Sequence, residues 1–316
     1  MRQAIDQALE GVPLSELASS ASALSLRYRE ETRDGRLHLN DELSALAYLA
    51  TRLPATYAAT HTSLAALAET LPRFAPATML DAGAGPGTAL WAAASLWPSL
   101  SDAVLLEASP AIRKWGEQMS TFSSVGAVDW RATDIARPFA TNAPRDLVTL
   151  CYVLDELAPD ARERLVGELW DGTSGAFLIV EPGTPKGWQR ILAARDQLIA
   201  AGAHILAPCT HHAPCPLAAP DWCHFSARVA RSRIHRLAKD ADVPWEDEKF
   251  IYLAASRTPP ASRASRVLAP PDRGSGRARL KLCRPDGSSA DMLVTRREGD
   301  AFKRARRTGW GDRFDG

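Results

Sequence analysis

From residue 78 onward, short apolar segments alternate with helical segments, and this alternation constrains the fold more than any other feature of the chain. The apolar runs are nearly continuous, from ATMLDAG through DLVTLCYVL to GAFLIVEPG, which is typical of strands buried on both faces of a parallel sheet. The intervening segments have apolar residues at helical spacing. The sequence therefore predicts an α/β fold with a doubly wound, mostly parallel sheet.

Distinct regions flank this alternating core. Residues 1–75 have apolar residues at helical spacing and predict an N-terminal helical region. Residues 76–257 form the predicted α/β domain, which ends with a helix over 226–241 and a strand. Residues 258–316 are expected to hold a linker rich in Pro, Ser and Arg over 258–275, then a β-hairpin and a basic tail.

The charge of the chain is unevenly distributed. The formal net charge is +1, but residues 257–316 contain 15 Lys/Arg and 7 Asp/Glu, a net +8, which leaves −7 for residues 1–256. Phe302 and Trp310 are interleaved with these cations. A basic block of this kind favours a polyanionic partner, for which RNA is the natural candidate.

Composition also bears on the compartment. No run approaches the roughly 20 apolar residues of a membrane span, and the amino end lacks the apolar core of a secretory signal. Five cysteines in 316 residues suggest a reducing environment. We expect a cytoplasmic protein, or a mitochondrial one in a eukaryotic source, that does not bind membranes and is monomeric away from its partner.

A glycine-rich turn, MLDAGAGPGT, joins the first predicted strand to a helix. Gly83, Gly85 and Gly87 would let a ligand approach the backbone and the amino end of the helix. Thr88 stands where the dinucleotide pattern G-x-G-x-x-G requires its last glycine. The spacing instead resembles S-adenosylmethionine-dependent methyltransferases, in which an acid at the strand end, here Asp81, lies near the methionine amino group.

Two further acids follow later strands of the predicted sheet. Glu107 ends the second strand, 26 residues after Asp81, where a carboxylate can accept both ribose hydroxyls of a nucleoside. Asp134 follows the third strand and is expected to contact the adenine amino group. Together with the glycines, these acids are the predicted cofactor-binding residues.

The region after the fourth strand is relevant to catalysis. Base-directed amino-methyltransferases of this class have Asn/Asp-Pro-Pro-Tyr/Phe there, whereas residues 152–157 read YVLDEL. Cys151 lies inside an apolar run, where a thiol behaves as a small buried hydrophobe rather than a nucleophile. No catalytic residue is assigned, and the sequence leaves open whether the protein methylates a substrate.

Cys209, Cys215 and Cys223 fall within fifteen residues of a proline-rich loop, residues 204–226. Thiolates are the soft ligands that select zinc or iron–sulfur clusters. The spacing, C-x5-C-x7-C, lacks the paired C-x2-C of zinc ribbons. By spacing alone, a metal site and a loop of unconnected thiols both remain open. Cys283 lies far downstream at the end of a predicted strand.

Several segments resemble a known family, and PDWCHF, EDEKF, the glycine turn and the basic end with WGD carry the similarity. The chain resembles, from about residue 40 to its end, the small-ribosomal-subunit assembly family of methyltransferase-like proteins, which includes mitochondrial methyltransferase-like protein 17 and its bacterial relatives. The resemblance implies a [4Fe–4S] cluster and binding to small-subunit rRNA during maturation. Its cysteine ligands would be Cys209, Cys215, Cys223 and Cys283.

Three functions are compatible with these features. The chain could use S-adenosylmethionine to methylate rRNA of the small ribosomal subunit, or be a non-catalytic assembly factor with the same fold. A small-molecule methyltransferase would leave the basic tail unexplained. Zinc is the alternative to the iron–sulfur cluster, because counting cysteines does not separate the two metals.

Overall fold

The computed structural model describes residues 2–30, 38–140 and 143–315, so residues 31–37 of the predicted N-terminal region lie outside the described chain. The N-terminal region is helical, as predicted. Its helices are α1 (Arg2–Ala8), α2 (Leu14–Glu30), α3 (Glu42–Thr51) and α4 (Leu53–Thr70). Asp41 caps α3, because its carboxylate accepts a hydrogen bond from the Ser44 amide at 2.7 Å. No helix of the described residues is long and apolar enough to cross a membrane.

The central sheet alternates with helices, as the apolar pattern predicts. Its strands are β1 (Thr78–Ala82), β2 (Asp102–Leu106), β3 (Ala127–Arg131), β4 (Arg145–Cys151), β5 (Thr173–Pro182), β6 (His204–Ala207), β7 (Phe225–Ala230) and β8 (Trp245–Ser256). The helices between them are α5 (Thr88–Leu96), α6 (Pro110–Ser120), α7 (Pro159–Asp171), α8 (Pro185–Ala200) and α9 (Arg233–Ala238).

The strand order is β3-β2-β1-β4-β5-β8-β6, with β7 also paired to β8. Strands β1 to β5 are mutually parallel, and β8 runs antiparallel to β5. The order reverses between β1 and β4, and right-handed crossovers then place helices on opposite faces of the sheet. The predicted doubly wound, mostly parallel α/β fold is therefore confirmed.

Strands β6 and β7 lie end to end along β8. Strand β6 pairs with residues 254–256 of β8 and β7 with residues 245–250, so the cysteine-rich loop leaves the sheet near the middle of β8. The helix predicted over 226–241 is wrong in its first part, which is β7. The alternating burial of Phe225, Ala227 and Val229 has the two-residue period of a strand.

The C-terminal region forms a second, antiparallel sheet. Its strands are β9 (Ser265–Val267), β10 (Asp272–Gly274), β11 (Arg277–Cys283), β12 (Ser289–Thr295) and β13 (Arg313–Phe314), and its helix is α10 (Asp300–Arg307). The predicted hairpin is β11 and β12, with Cys283 opposite Ser289 at its closed end. Residues 258–275 differ from the linker prediction because they supply β9 and β10, and Val267 is fully buried against the hairpin.

Candidate functional site

The glycine turn between β1 and α5 is a sharp bend of the backbone. Gly83, Gly85 and Gly87 have φ angles of 70°, 55° and 81°, a region that side chains with a Cβ rarely occupy. A Cβ at Gly83 would lie 2.5 Å from Val153 Cγ2, whereas one at Gly85 would point into open space. The turn therefore presents bare backbone to a ligand at the carboxyl edge of the parallel strands, where open α/β sheets bind ligands.

A cavity opens beside this turn, and Asp81 forms part of its wall. Its lining residues are Tyr48, Thr56, Thr60, Asp81, Gly83, Ala84, Gly85, Thr88, Ala89, Cys151 and Tyr152. Asp81 is buried, and its Oδ1 accepts a hydrogen bond from Thr149 Oγ1 at 2.6 Å. Its Oδ2 has no partner among the described residues. A buried carboxylate oxygen without a partner suits a donor from a ligand, such as the amino group of S-adenosylmethionine.

Burial raises the pKa of Asp81 to about 7, although the hydrogen bond from Thr149 opposes the shift. The nearby charge of Glu107 adds to the increase. A cationic ligand group would favour the ionised form of this carboxylate, because opposite charges stabilise each other most where water is excluded. The cavity therefore fits a ligand that brings a positive charge next to Asp81.

Glu107 fixes the glycine turn to the end of β2. Its Oε2 accepts a hydrogen bond from the Gly85 amide at 2.8 Å, and its Oε1 accepts one from the Ser109 amide at 2.8 Å. It lies behind the turn rather than among the lining residues of the cavity. A carboxylate has further lone pairs for ribose hydroxyls, so its predicted role stays a prediction.

Asp134 lies outside the cavity. It is exposed, and its carboxylate accepts a hydrogen bond from the Ala136 amide at 3.0 Å and pairs with Arg137 at 3.3 Å. These contacts stabilise a local turn, for which Asp is well suited because its short side chain bonds to nearby backbone. The placement gives no support to the expected contact with adenine.

The N-terminal helices supply residues that the sequence analysis missed. Tyr48 of α3 and Thr56 and Thr60 of α4 line the cavity. Their signal in the sequence is a polar residue at every fourth position, Arg52, Thr56 and Thr60, in a helix otherwise rich in Ala and Leu. That spacing puts all three on one face, which is polar because it faces the cavity and not the apolar core.

Tyr152 stands where the catalytic clamp of amino-methyltransferases would lie. Its φ of 61° is unusual for a bulky residue and costs on the order of 1–3 kcal/mol. The Tyr152 hydroxyl donates to Glu248 Oε1 at 3.2 Å. Arg52 binds both oxygens of Glu248, at 3.1 and 3.3 Å. This network joins the N-cap of α4, the residue that follows β4, and β8 at one end of the cavity.

The four predicted metal ligands line a second cavity. Its wall consists of Trp188, Ile191, Leu192, Arg195, Pro208, Cys209, His211, Cys215, Pro216, Leu217, Cys223, Ile251, Tyr252, Leu268 and Cys283. All four cysteines are free thiols. The structure thus brings together cysteines from the β6–β7 loop and from β11. Within the described residues, no three His, Cys, Asp or Glu side chains are arranged to hold a metal ion.

The thiols of this second cavity influence one another. Burial raises the pKa of Cys209 to about 11, and the charges of Cys283 and Cys215 reinforce the increase while Arg195 opposes it. Burial and the same neighbouring thiols raise the pKa of Cys223 well above its ordinary value. Cys209 and Cys223 are therefore protonated near neutral pH unless a metal displaces their protons.

Arg195 of α8 forms hydrogen bonds to the backbone of the cysteine loop. It is 1% exposed, and its Nη2 donates to the carbonyl oxygens of His211 at 2.9 Å and Ala213 at 2.7 Å. Its Nε has no partner among the described residues. A buried guanidinium beside four thiols offsets the negative charge that thiolate ligands would carry.

The second sheet docks on the same loop. Cys283 Sγ lies 3.5 Å from His211 Nε2, and a Cβ at Gly287 in the hairpin turn would lie 3.1 Å from Ala213. On the other side of the loop, the ring of Trp310 packs edge-on against His224, with centroids 4.9 Å apart. The loop is thus enclosed between α8, β8 and the second sheet.

The strand order, the reversed β8 and the glycine turn after β1 define the α/β fold of S-adenosylmethionine-dependent methyltransferases. Two solved structures are partly similar to this chain. One is magnesium protoporphyrin IX methyltransferase from Synechocystis PCC 6803, at 14% identity and a TM-score of 0.42 over 73% of this chain and 90% of the other. The second is the N-methyltransferase NodS from Bradyrhizobium japonicum, at 16% identity and a TM-score of 0.40 over 62% and 93%.

The chain belongs to the family described as mitochondrial small ribosomal subunit Rsm22, whose model matches residues 42–315. It is 30% identical over 287 residues to the human mitochondrial ribosome assembly protein METTL17, covering 85% of this chain and 62% of that protein. It is also 22% identical to the mitochondrial Rsm22-cox11 tandem protein 2 of Schizosaccharomyces pombe, covering 75% and 38%. The chain thus spans less than two thirds of either relative. The predicted family is confirmed.

The glycine turn generates a prediction for cofactor binding. Gly85→Asp is expected to abolish S-adenosylmethionine binding in calorimetry, because it puts bulk and negative charge where the backbone faces the cavity. Glu107→Ala is expected to weaken binding by roughly 1–3 kcal/mol through loss of charge-assisted hydrogen bonds. Gly202→Asp is the matched control, because Gly202 also has a positive φ and open space around its Cβ position but lies in another turn. Absence of binding to the unaltered protein would contradict this account.

Asp81 generates a prediction for stability. Because burial raises its pKa in the folded state, the folded protein keeps a proton that the unfolded chain releases, and stability falls as the pH rises from about 4 to about 7. Asp81→Asn removes this loss of folding stability, because the amide side chain does not titrate. Without cofactor, the variant is expected to exceed the original protein in stability by roughly 3–4 kcal/mol at pH 8 and to lose that advantage near pH 4. Denaturant unfolding across pH measures this, and a constant difference would refute the assignment.

Proposed function

We propose that this chain is an S-adenosylmethionine-binding, iron–sulfur assembly factor that acts on the small ribosomal subunit. One observation carries the proposal: four free cysteines from two distant segments line one largely apolar cavity where the second sheet docks. A cluster at that position would fix the basic second sheet to the methyltransferase-type domain. The names of the relatives, a ribosome assembly protein and a small-ribosomal-subunit family, support the same role.

The lining of the cavity suits a buried metal held by thiolates. Apolar walls around Cys209, Cys215, Cys223 and Cys283 would keep water from the metal. Zinc and a [4Fe–4S] cluster both accept four cysteine ligands. The cluster is the first choice here because the resemblance to the assembly family implies it.

The C-terminal region supports binding to RNA through charge. Eight of its exposed cations lie on the outer side of α10, on the turn before it and on one face of β11. They are Arg277, Arg279, Arg296, Arg297, Lys303, Arg304, Arg306 and Arg307. The aromatic residues that the sequence analysis associated with RNA have other roles. Phe302 is buried against the second sheet, and Trp310 packs on His224. The contact we propose here is therefore with phosphates rather than with bases.

Methylation of small-subunit rRNA is the second candidate, and the unpartnered Oδ2 of Asp81 in the first cavity favours it by supporting cofactor binding. Mass mapping of the rRNA from a deletion strain tests this candidate. If the protein is a methyltransferase, one nucleotide that is methylated in the parent strain should be unmethylated in the deletion strain. The predicted cytoplasmic location is not supported by the relatives, which are mitochondrial by name. We propose a mitochondrial location if the source is eukaryotic.

The cluster has a direct chemical test. Protein purified without oxygen is expected to be brown and to contain about four iron and four sulfide per chain. Replacing any one of the four ligand cysteines by Ser should abolish the brown colour and make the C-terminal region sensitive to proteolysis, because metal-binding energy is folding energy at such sites. Iron and sulfide analysis with limited trypsin digestion measures both effects.

Cys151→Ser is the matched control for the cluster and should keep its iron, because Cys151 lines the cofactor cavity instead. A colourless anaerobic preparation with one tightly held zinc would overturn the iron assignment but keep the four ligands. Full metal content in Cys283→Ser would refute the bridge between the two segments.

The basic region has a test based on salt. Arg304→Ala combined with Arg307→Ala is expected to flatten the slope of log affinity against log salt by about 1.5 for small-subunit rRNA, because two fewer counterions are released. Arg29→Ala combined with Arg73→Ala removes the same charge from exposed positions elsewhere and should leave the slope unchanged. An unchanged slope in the α10 variant would show that this helix does not contact phosphates.

A further inference from the structure

Strand β8 extends beyond the sheet that it shares with β5. The last residue of β5, Pro182, pairs with Phe250, so residues 245–249 of β8 continue past it with only β7 as a paired strand. The two strands form a ribbon, residues 225–230 and 245–250, that overhangs the carboxyl edge of the parallel strands. Open α/β sheets bind their ligands at this edge.

The two faces of the ribbon differ in their contacts. On the inner face, Glu248 binds Arg52 and Tyr152 at the cofactor cavity, and Glu246 binds Lys239 at 2.9 Å. These acidic groups are therefore neutralised. The outer-face residues of β8 alternate with these acids along the strand. Together with their partners on β7, the exposed residues of the outer face are Arg228, Ala230, Trp245, Asp247 and Lys249.

Trp245 is an unusual residue for such a surface. It is 42% exposed, and the Arg228 guanidinium lies 5.6 Å from the centroid of its ring. Arg228 is held in place by two hydrogen bonds to Asp247, at 2.8 and 2.9 Å. The ring is therefore partly open to solvent, with a cation held beside it.

Two cations share the outer face with Trp245. Arg228 is paired with Asp247, whereas Lys249 is exposed without an ion-pair partner in the described chain. Lys249 follows Asp247 on the same face of β8, two residues further along the strand. An exposed aromatic ring with cations on the same face is complementary to a polyanion whose bases are free to stack.

We propose that the β7–β8 ribbon binds single-stranded RNA, with one nucleobase stacked on Trp245 and a neighbouring phosphate bound by Lys249 on the same face. This inference rests on the proposed function and adds a site separate from α10. Single strands are the fitting partner because the bases of a duplex are already stacked and do not offer a free face. Stacking does not depend on sequence, since every base has a π-face.

The ribbon is also continuous with the basic second sheet. The Gly183 amide donates to the Lys249 carbonyl oxygen at 2.9 Å, and Trp222 Nε1 donates to the Gly183 carbonyl oxygen at 3.0 Å. Trp222 stacks on His224, which contacts Trp310 of the second sheet. These contacts link the ribbon to the basic second sheet.

Trp245→Ala and Trp245→Phe form the test pair. The probe is a labelled oligouridine of about twelve nucleotides, within the site sizes of single-strand binders, compared with an RNA duplex of the same length. Trp245→Ala is expected to weaken single-strand binding about 5- to 100-fold, the effect of losing one stacked base, with little change for the duplex. Trp245→Phe should keep most of the affinity. Neither change should alter the salt slope, because no charge is removed.

If Trp245→Ala binds oligouridine as tightly as the unaltered protein does, the ribbon site is wrong. It is also wrong if the variant loses equal affinity for the single strand and for the duplex. Thermal unfolding checks that Trp245→Ala is folded. We expect it to fold, because the Trp245 side chain is exposed in the original protein. The α10 double variant separates this inference from the proposed function. If that variant loses salt dependence while Trp245→Ala binds normally, the ribbon proposal fails and the RNA-binding assembly role stands. If the unaltered protein binds no RNA at all, both fail.

Discussion

The convergence of four thiols on one largely apolar cavity is the constraint on which the proposed account of this molecule depends. Cys209, Cys215 and Cys223 come from a loop that interrupts the edge of the central sheet, and Cys283 comes from the second sheet. A metal that displaces the protons of these thiols would convert its binding energy into folding energy. With the proposed cluster in place, the position of the basic second sheet would therefore be linked to the occupancy of this cavity.

Strand β8 connects all the proposed sites. Its inner face carries Glu248, which binds Arg52 and Tyr152 beside the cofactor cavity. Its middle residues, Ile251 and Tyr252, form part of the cysteine cavity. Its exposed start carries Trp245 on the ribbon. A single rigid element thus fixes the relative positions of cofactor, cluster and RNA sites, which suits a protein that holds RNA against a methyltransferase-type domain.

Local patterns in the sequence predicted the features that depend on neighbouring residues, such as the glycine turn after β1 and the hairpin that ends at Cys283. Features that depend on distant contacts were missed. Thr60 lies at the cavity only because α4 packs against α5 and β8, which are distant in sequence, and Asp134 follows a strand but lies outside the cavity. Strand β7 was mistaken for part of a helix because its six residues are too few to separate a two-residue period from a helical one, and α9 follows shortly after it.

Hydrogen–deuterium exchange before and after anaerobic removal of iron tests the central claim most directly, namely that the four-cysteine site joins the second sheet to the α/β domain. Removal is expected to increase exchange in β9, β11 and the loop 208–224, with β1, β2 and β4 unchanged, because only the former segments depend on the site for their packing. Unchanged exchange in β9 and β11 after complete loss of iron would contradict the claim.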